Sequence, residues 1–402
     1  MSRLDELIQE LCPNGVEYKT VSSISKNITS GGTPKTGVAE YYNGDIPWLR
    51  TQEVNFDDIT DTGVKITQLG VDNSSAKWIP ENCVIVAMYG ATVGKVAINK
   101  IPMTTNQACC NIELDKEKAL YRYVFHCLCN QYQYIKSLGQ GSQTNINAQI
   151  VKKLTIPVPP LEVQSEIVRI LDNFTELTAE LTAELTARKK QYEYYRNKLL
   201  SFNELIKSGG CQLKKLREIA EYSHKRINAI AMKKDNYVGV DNLLPNKAGK
   251  VGSNYVPTKG NLTAYVIGDV LIGNIRPYLK KIWLAYNEGG ASGDVLVIHL
   301  TDQSVDVKYL YQVLADDKFF NYNMQFAKGA KMPRGSKQKI MDYIIPVPSL
   351  EEQRRIVSIL DKFDMLTTSI SEGLPKEIEL RRKQYEYYRN QLLSFPDNKT
   401  TA

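Results

Sequence analysis

The 402 residues are 43% hydrophobic and 24% charged with a net charge of +7, a balance that excludes a disordered chain and suits two domains of ordinary size. No apolar run reaches the roughly 20 residues that span a bilayer, so no membrane partner is expected. "MSRLDELIQELC" lacks the apolar stretch of a secretion signal, and seven cysteines at no framework spacing suit a reducing cytoplasm.

In chain order, an amphipathic helix over residues 3–11 precedes "GVEYKTVSSIS" (15–25), an opening strand. "CVIVAMYGATVGKVAI" (83–98) is a β-branched run closed by a turn. Its "GATVGKV" has one residue too few between glycines for a phosphate loop, and valine follows the lysine where a hydroxyl belongs. "HCLC" (His126, Cys127, Cys129) lies in a helical pattern without a second ligand pair, which reads as buried thiols and no metal. A polar loop, "GQGSQTNINAQI" (139–150), comes before "IPVPPLEVQSEIVRILDNF" (156–174), where a proline-bounded extended segment passes into a helix at Leu161. That helix continues through "TELTAELTAELTAR" (175–188) into "RKKQYEYYRNKLLSF" (188–202). Steps of three and four put Leu177, Leu181, Leu185, Tyr192, Tyr195 and Phe202 on one face, the seam of a coiled coil.

The second half repeats the first. "GCQLKKLREIA" (210–220), "DVLIGNIRPYLKKIWLA" (269–285) and the glycine-bearing "AKGAKMPRGSKQKI" (327–340) echo the earlier blocks faintly. "IPVPSLEEQRRIVSILDKF" (345–363) echoes the helix start strongly, and "RRKQYEYYRNQLLSF" (381–395) matches residues 188–202 at 13 of 15 positions. Its seam includes Tyr385, Tyr388 and Phe395, with four added residues as a stutter and a break expected at Gly373 and Pro375. After the first "LLSF" the chain continues "NELIKSGG" (203–210), and the matching piece of the second copy stands at the other end, as "DELIQELCPNG" (5–15). The repeat is therefore circular, which implies ends that meet in space and an approximate two-fold. Basic and acidic residues balance at 15 each over 1–158, and only 209–345, with 20 against 12, carries an excess. A polyanion partner is expected there.

The paired "IPVP-x-LE-x-Q" starts, the twin tyrosine strings and the opening "LCPNGVEYK" resemble the specificity subunit of type I restriction–modification enzymes over essentially the whole chain. "TAELTAEL" (178–185) resembles the spacer repeat of a plasmid-borne subclass in which copy number alters the gap in the recognised DNA. The resemblance implies an α+β fold: two similar globular target-recognition domains separated by two long antiparallel coiled-coil helices, with circular pseudo-two-fold organisation. It divides the chain into a first recognition domain (1–158), a spacer helix (159–208), a second domain (209–345), a second spacer helix (346–395) and a tail (396–402). It implies a non-catalytic reader of a split, asymmetric double-stranded DNA target. Its partners would be two adenine-specific DNA methyltransferase subunits using S-adenosylmethionine and two restriction/translocase subunits using ATP and Mg2+, with no cofactor in this chain.

The residues agree. There is no "NPPY" or "DPPY" tetrapeptide, the only "PD" (Pro396-Asp397) lies in the tail, and three scattered histidines form no triad, so no catalytic residue is expected. A DNA reader needs cations for phosphates and forked polar groups for base edges. In the second domain these are Arg276, Lys280 and Lys281, then Lys328, Lys331, Arg334 and Lys337, with the arginines facing guanine. In the first they are Arg50, Thr51 and Gln52, then Ser142, Gln143, Thr144 and Asn145, with Lys152 and Lys153 for the backbone. Tyr194, Arg196, Tyr387 and Arg389 point away from the seam, two near-identical surfaces for two identical partner subunits. The competing reading is a coiled-coil scaffold without sequence readout, which gives the two diverged globular domains no role.

Overall fold

The computed structural model describes residues 2–139, 145–207, 210–368 and 373–398. The chain forms two units, Met1–Glu180 with Ile378–Ala402, and Leu181–Glu377.

The first unit runs α1 (Arg3–Leu11), β1 (Tyr18–Thr20), β2 (Ser25–Ser30), β3 (Tyr42–Leu49), β4 (Asp58–Ile59), β5 (Lys65–Ile66), α2 (Gln68–Asp72), β6 (Trp78–Ile79), β7 (Val84–Ala87), β8 (Val96–Asn99), β9 (Met103–Thr105), β10 (Cys109–Leu114), α3 (Tyr121–Asn130), α4 (Tyr132–Ser137), α5 (Ala148–Lys153) and β11 (Thr155–Pro157). Two sheets, ordered β2-β10-β7-β8-β4 and β5-β3-β9-β6, make its body. Successive side chains of a strand face opposite sides, and β7 is buried on both. Val84 and Val86 join Tyr123, Val124 and Leu128 of α3 in one core, while Ile85 and Ala87 join Leu49 and Met103 of the other sheet in a second. That double burial explains why "VIVA" reads as a continuous apolar run.

The second unit repeats this plan with α6 (Leu161–Leu199) entering from the first, then α7 (Phe202–Lys207), β12 (Cys211–Lys215), α8 (Leu216–Ile219), β13 (Ala220–Tyr222), β14 (Arg226–Asn228), β15 (Tyr237–Val238), β16 (Asn261–Tyr265), β17 (Val270–Gly273), β18 (Ile282–Leu284), β19 (Gly289–Ala291), β20 (Val295–Leu300), α9 (Val307–Leu314), α10 (Asp317–Gln325), α11 (Lys337–Met341) and β21 (Ile344–Pro348). Its sheets are ordered β13-β20-β17-β18 and β14-β16-β19-β15. Here Val270 and Ile272 face Tyr309, Leu310 and Val313 of α9, while Leu271 faces Val238 and Ala291.

The "IPVP" segments are strands. β11 pairs antiparallel with β1 (Tyr18 opposite Pro157), and β21 pairs antiparallel with β12 (Cys211 opposite Pro348). The glutamine of each "LE-x-Q" is fully buried. Gln164 accepts from Leu120 N (2.9 Å) and donates to the carbonyls of Lys118 (3.1 Å) and Pro159 (2.8 Å). Gln353 does the same with Asp306 N (2.7 Å), Ser304 O (2.9 Å) and Pro348 O (2.8 Å). Each amide uses one acceptor and two donors, so each long helix is tied to its own domain by a fully satisfied clamp.

The chain ends join within the first unit. Val16 bridges Asp397 in parallel, Val16 N donates to Pro396 O (2.9 Å), and the Tyr18 hydroxyl donates to Phe395 O (2.9 Å). Among the described residues the second long segment is two helices, α12 (Leu350–Thr368) and α13 (Gly373–Leu392). Gly373 opens α13 at φ +77, where a Cβ would stand 2.5 Å from the Met365 carbonyl. Pro375 falls in the first turn, where its missing N–H is no loss.

Candidate nucleic-acid interface

In the first unit, Arg50, Thr51 and Gln52 leave the end of β3 and meet the β7–β8 loop. The Thr92 hydroxyl donates to Thr51 O (2.7 Å), and Gly90 N donates to the Asn145 side-chain oxygen (3.3 Å). The fold thus gathers Arg50, Thr51, Gln52 and Asn145 around the turn Gly90–Thr92, beside the exposed Tyr89. Arg50 is half-committed: its Nε pairs with Glu53 (3.2 Å), which also accepts from Gly63 N (2.6 Å). Ser142, Gln143 and Thr144 lie outside the described residues. Lys152 and Lys153 end α5, which packs against the turn Val21–Ile24 and β2; among the described residues no bond ties them to the Gly90 loop.

In the second unit the counterpart loop joins β17 to β18. Arg276 N donates to Pro333 O (2.7 Å), Ile275 forms an antiparallel bridge with Arg334, and Arg334 forms another with Lys328. Arg276, Lys328, Lys331 and Arg334 are therefore exposed on one pair of adjoining loops, with the exposed Lys337 in the first turn of α11. Lys280 and Lys281 are used internally. Lys280 pairs with Asp317 (2.9 Å), which also takes Lys247 (3.0 Å), and Lys281 donates to Val240 O (2.6 Å). Burial raises the Asp317 carboxyl, but these two lysines more than offset it and hold it below the usual range. Arg334 pairs with Asp294 (3.0 Å), which raises its own pKa further.

The turn between strands read at Gly90 is there, but sequence reading did not join it to Thr51 and Asn145, and it did not single out the exposed Tyr89 and Tyr278. An aromatic beside a turn glycine in "MYG", or beside a proline in "RPY", was the available signal.

The helix seam is partly as expected. Phe174 stacks on Tyr388 (5.3 Å between centroids) within the first unit, and Tyr192 and Tyr195 both stack on Phe363 (5.8 Å each) within the second. Leu181 and Leu185 are half-buried. Leu177 is corrected: it is 44% exposed, because at about 100° per residue it sits roughly 60° off the line through Phe174, Leu181 and Leu185. Phe202 and Phe395 are not seam residues either. Phe202 begins α7 after α6 has ended, and Phe395 follows the end of α13 and is buried in the first unit's core.

Tyr385 turns toward its own domain. Its hydroxyl donates to His126 Nδ1 (2.9 Å), while His126 Nε2 donates to Asp172 (2.8 Å), whose carboxylate also takes Arg122 (2.6 Å). Burial depresses the His126 pKa and pushes Tyr385 up to about 12, so both stay neutral in these roles. Both ring nitrogens are occupied, and Cys127 and Cys129 are buried with thiols raised by burial. Among the described residues no His, Cys, Asp and Glu group could hold a metal.

The docking candidates divide. Tyr194 and Tyr387 are 61% and 60% exposed, each edge-on to the next tyrosine at 5.4 Å. Arg196 is corrected: it is 7% exposed, donates to both the side chain and the carbonyl of Gln312, and lies 3.6 Å from Asp316. Arg389 is half-buried, bonded to Asn130 (3.2 Å) and lying over the Tyr385 ring. A long arginine on a helix flank folds back onto the domain whenever that domain offers acceptors.

Two α+β domains of one plan, each tied to a long helix by a buried glutamine and each presenting an exposed pair of polar loops, define a class of modular two-domain proteins. Residues 13–188 and 202–380 both match the type I restriction modification DNA specificity domain. The chain belongs to that family. It is 35% identical over 322 residues to the EcoR124I/EcoR124II specificity subunit of Escherichia coli, covering 72% of this chain and 74% of the relative. It is 31% identical to the E. coli EcoprrI specificity subunit over 402 residues, covering 92% and 93%. The fold matches that of a type I S subunit from M. genitalium with a TM-score of 0.55 at 17% identity, over 95% of this chain and 97% of that one. A chain from a structure of type I R-M complex assembly matches with a TM-score of 0.59 at 17% identity, over 95% and 98%. Specificity subunits of this family are non-catalytic. Among the described residues no helix is long and apolar enough to cross a membrane.

Proposed function

We propose that this chain reads a split double-stranded DNA target, one half-site per domain, through the loops around Gly90 and Asn145 in the first and Arg276 and Arg334 in the second. The long helices set the gap, and the exposed Tyr194 and Tyr387 dock two methyltransferase subunits that methylate adenine with S-adenosylmethionine. Two restriction subunits bring ATP- and Mg2+-dependent translocation and cleavage to the same complex. The observation that carries this reading is the repetition of one loop frame in two domains whose exposed loop residues differ, as two half-sites of different sequence require.

The "TAELTAEL" segment lies wholly inside α6, which supports its role as a ruler. One more "TAEL" lengthens the helix by about 6 Å, comparable to one or two steps of roughly 3.4 Å along DNA. Methylation mapping with the assembled methyltransferase is expected to show a changed gap and unchanged half-sites. Altered half-site sequences would refute the ruler.

A further inference from the structure

Two loops of the same length and frame hold different residues at the same left-handed positions. β7 and β8 pair Val86 with Val96, and β17 and β18 pair Ile272 with Ile282. Counting from these pairs makes position 276 the counterpart of 90, and 280 the counterpart of 94. Gly90 and Gly94 have φ of +79 and +80; Arg276 and Lys280 have +53 and +51. A side chain on left-handed backbone crowds the following carbonyl, a cost that glycine avoids and that the first domain does avoid.

Lys280 has a structural use for its side chain, the ion pair with Asp317. Arg276 has none. It is exposed, and among the described residues its guanidinium has no hydrogen-bond or ion-pair partner. Only its backbone is engaged, through the bond to Pro333 O that fixes the loop. Of the other cations that share this loop pair, Arg334 is held by Asp294 and Lys281 by Val240 O. Lys328 and Lys331 are exposed like Arg276 but carry no forked head group, and neither stands at a left-handed position that glycine fills in the other domain. An arginine kept where glycine fits at less strain, with its head group projecting unpaired, is strain retained for the side chain's own sake.

We propose that Arg276 is the specificity-determining residue of the second domain, its guanidinium fork reading one guanine of that domain's half-site through O6 and N7. This rests on the DNA-reading function above. The left-handed backbone, pinned at Pro333, fixes where the side chain leaves the loop, while the unpaired guanidinium keeps its rotamer freedom until DNA binds.

The test uses the full chain assembled with its methyltransferase subunits, mapping methylated adenines across a DNA library randomised in both half-sites. Arg276→Gly relieves the strain and removes the fork. Its melting midpoint is expected to be no lower than that of the unsubstituted chain. The half-site read by the first domain is expected to stay unchanged, while discrimination at one G·C pair of the other half-site falls on the order of 10- to 100-fold. Arg276→Lys keeps the charge without the fork and is expected to lose the same discrimination. Unchanged discrimination in Arg276→Gly, with binding weakened equally for all sequences, would make the contact a phosphate contact and overturn the proposal. Full discrimination in Arg276→Lys would show that the fork is not what reads the base and would overturn it likewise. A midpoint lowered by more than about 3 °C in Arg276→Gly would overturn it too, by giving the side chain a structural role. If the unsubstituted complex recognises no split site, the DNA-reading function itself fails, an outcome distinct from a specific complex indifferent to position 276.

Discussion

Substituting Gln164 by leucine tests whether each long helix is fixed to its domain by the buried amide. Leucine keeps most of the volume, so the cavity contribution is small, and what is lost is three hydrogen bonds to Leu120 N, Lys118 O and Pro159 O. At roughly 1 kcal/mol each, with a further share for polar backbone groups left unsatisfied, the cost is about 3–4 kcal/mol. At about 1.4 kcal/mol per tenfold, amide hydrogen exchange in peptides covering α3 should accelerate on the order of 100- to 1000-fold, provided those amides exchange through opening of the first unit. Peptides covering α9 serve as the internal control, because Gln353 holds the equivalent place in the second unit. Gln353→Leu should reverse the pattern. If Gln164→Leu left α3 protection within about twofold, the clamp would be a packing coincidence and the repeated "LE-x-Q" would need another explanation.

His126, the one histidine of the first unit, makes that unit acid-sensitive. It faces Asp172 of α6, Tyr385 and Arg389 of α13 and Arg122 of its own helix, and burial holds its pKa below the ordinary 6.5. A folded pKa below the unfolded one means the unfolded chain binds the extra proton, so the stabilisation is present above about pH 6.5 and is lost as pH falls. The loss is expected at up to roughly 1 kcal/mol per pH unit between about pH 6.5 and 5.5, read by urea titration following Trp48, and abolished in His126→Gln. The two matching arginines should behave unequally. Arg196→Ala strips a buried guanidinium from Gln312 and Asp316 and should cost about 3 kcal/mol, whereas Arg389→Ala, half-buried on Asn130, should cost about 1 kcal/mol. Equal losses in thermal unfolding would contradict the burial difference.

The sequence by itself determined the repeat, the two domains, the helix starts and the β-branched strands, because these depend on local periodicity and on residues close along the chain. It also carried the family, through strings too particular to recur by composition. The circular join was legible because the missing piece of one copy stands at the other end, and Val16 does meet Pro396 and Asp397. Tertiary structure alone decided which way the tyrosine strings face. Residues 188–202 and 381–395 are nearly identical, yet Arg196 is buried and Arg389 is not, because α9 ends toward Gln312 and Asp316 where α3 offers His126 and Asn130. It likewise sorted the cations of the second domain. "NIRPYLKK" shows three equal candidates, and only long-range partners, Asp317 for Lys280 and Val240 for Lys281, remove two of them. The equivalence of Gly90 and Arg276 lies in backbone angle and strand register, which two loops can share with scarcely a residue in common.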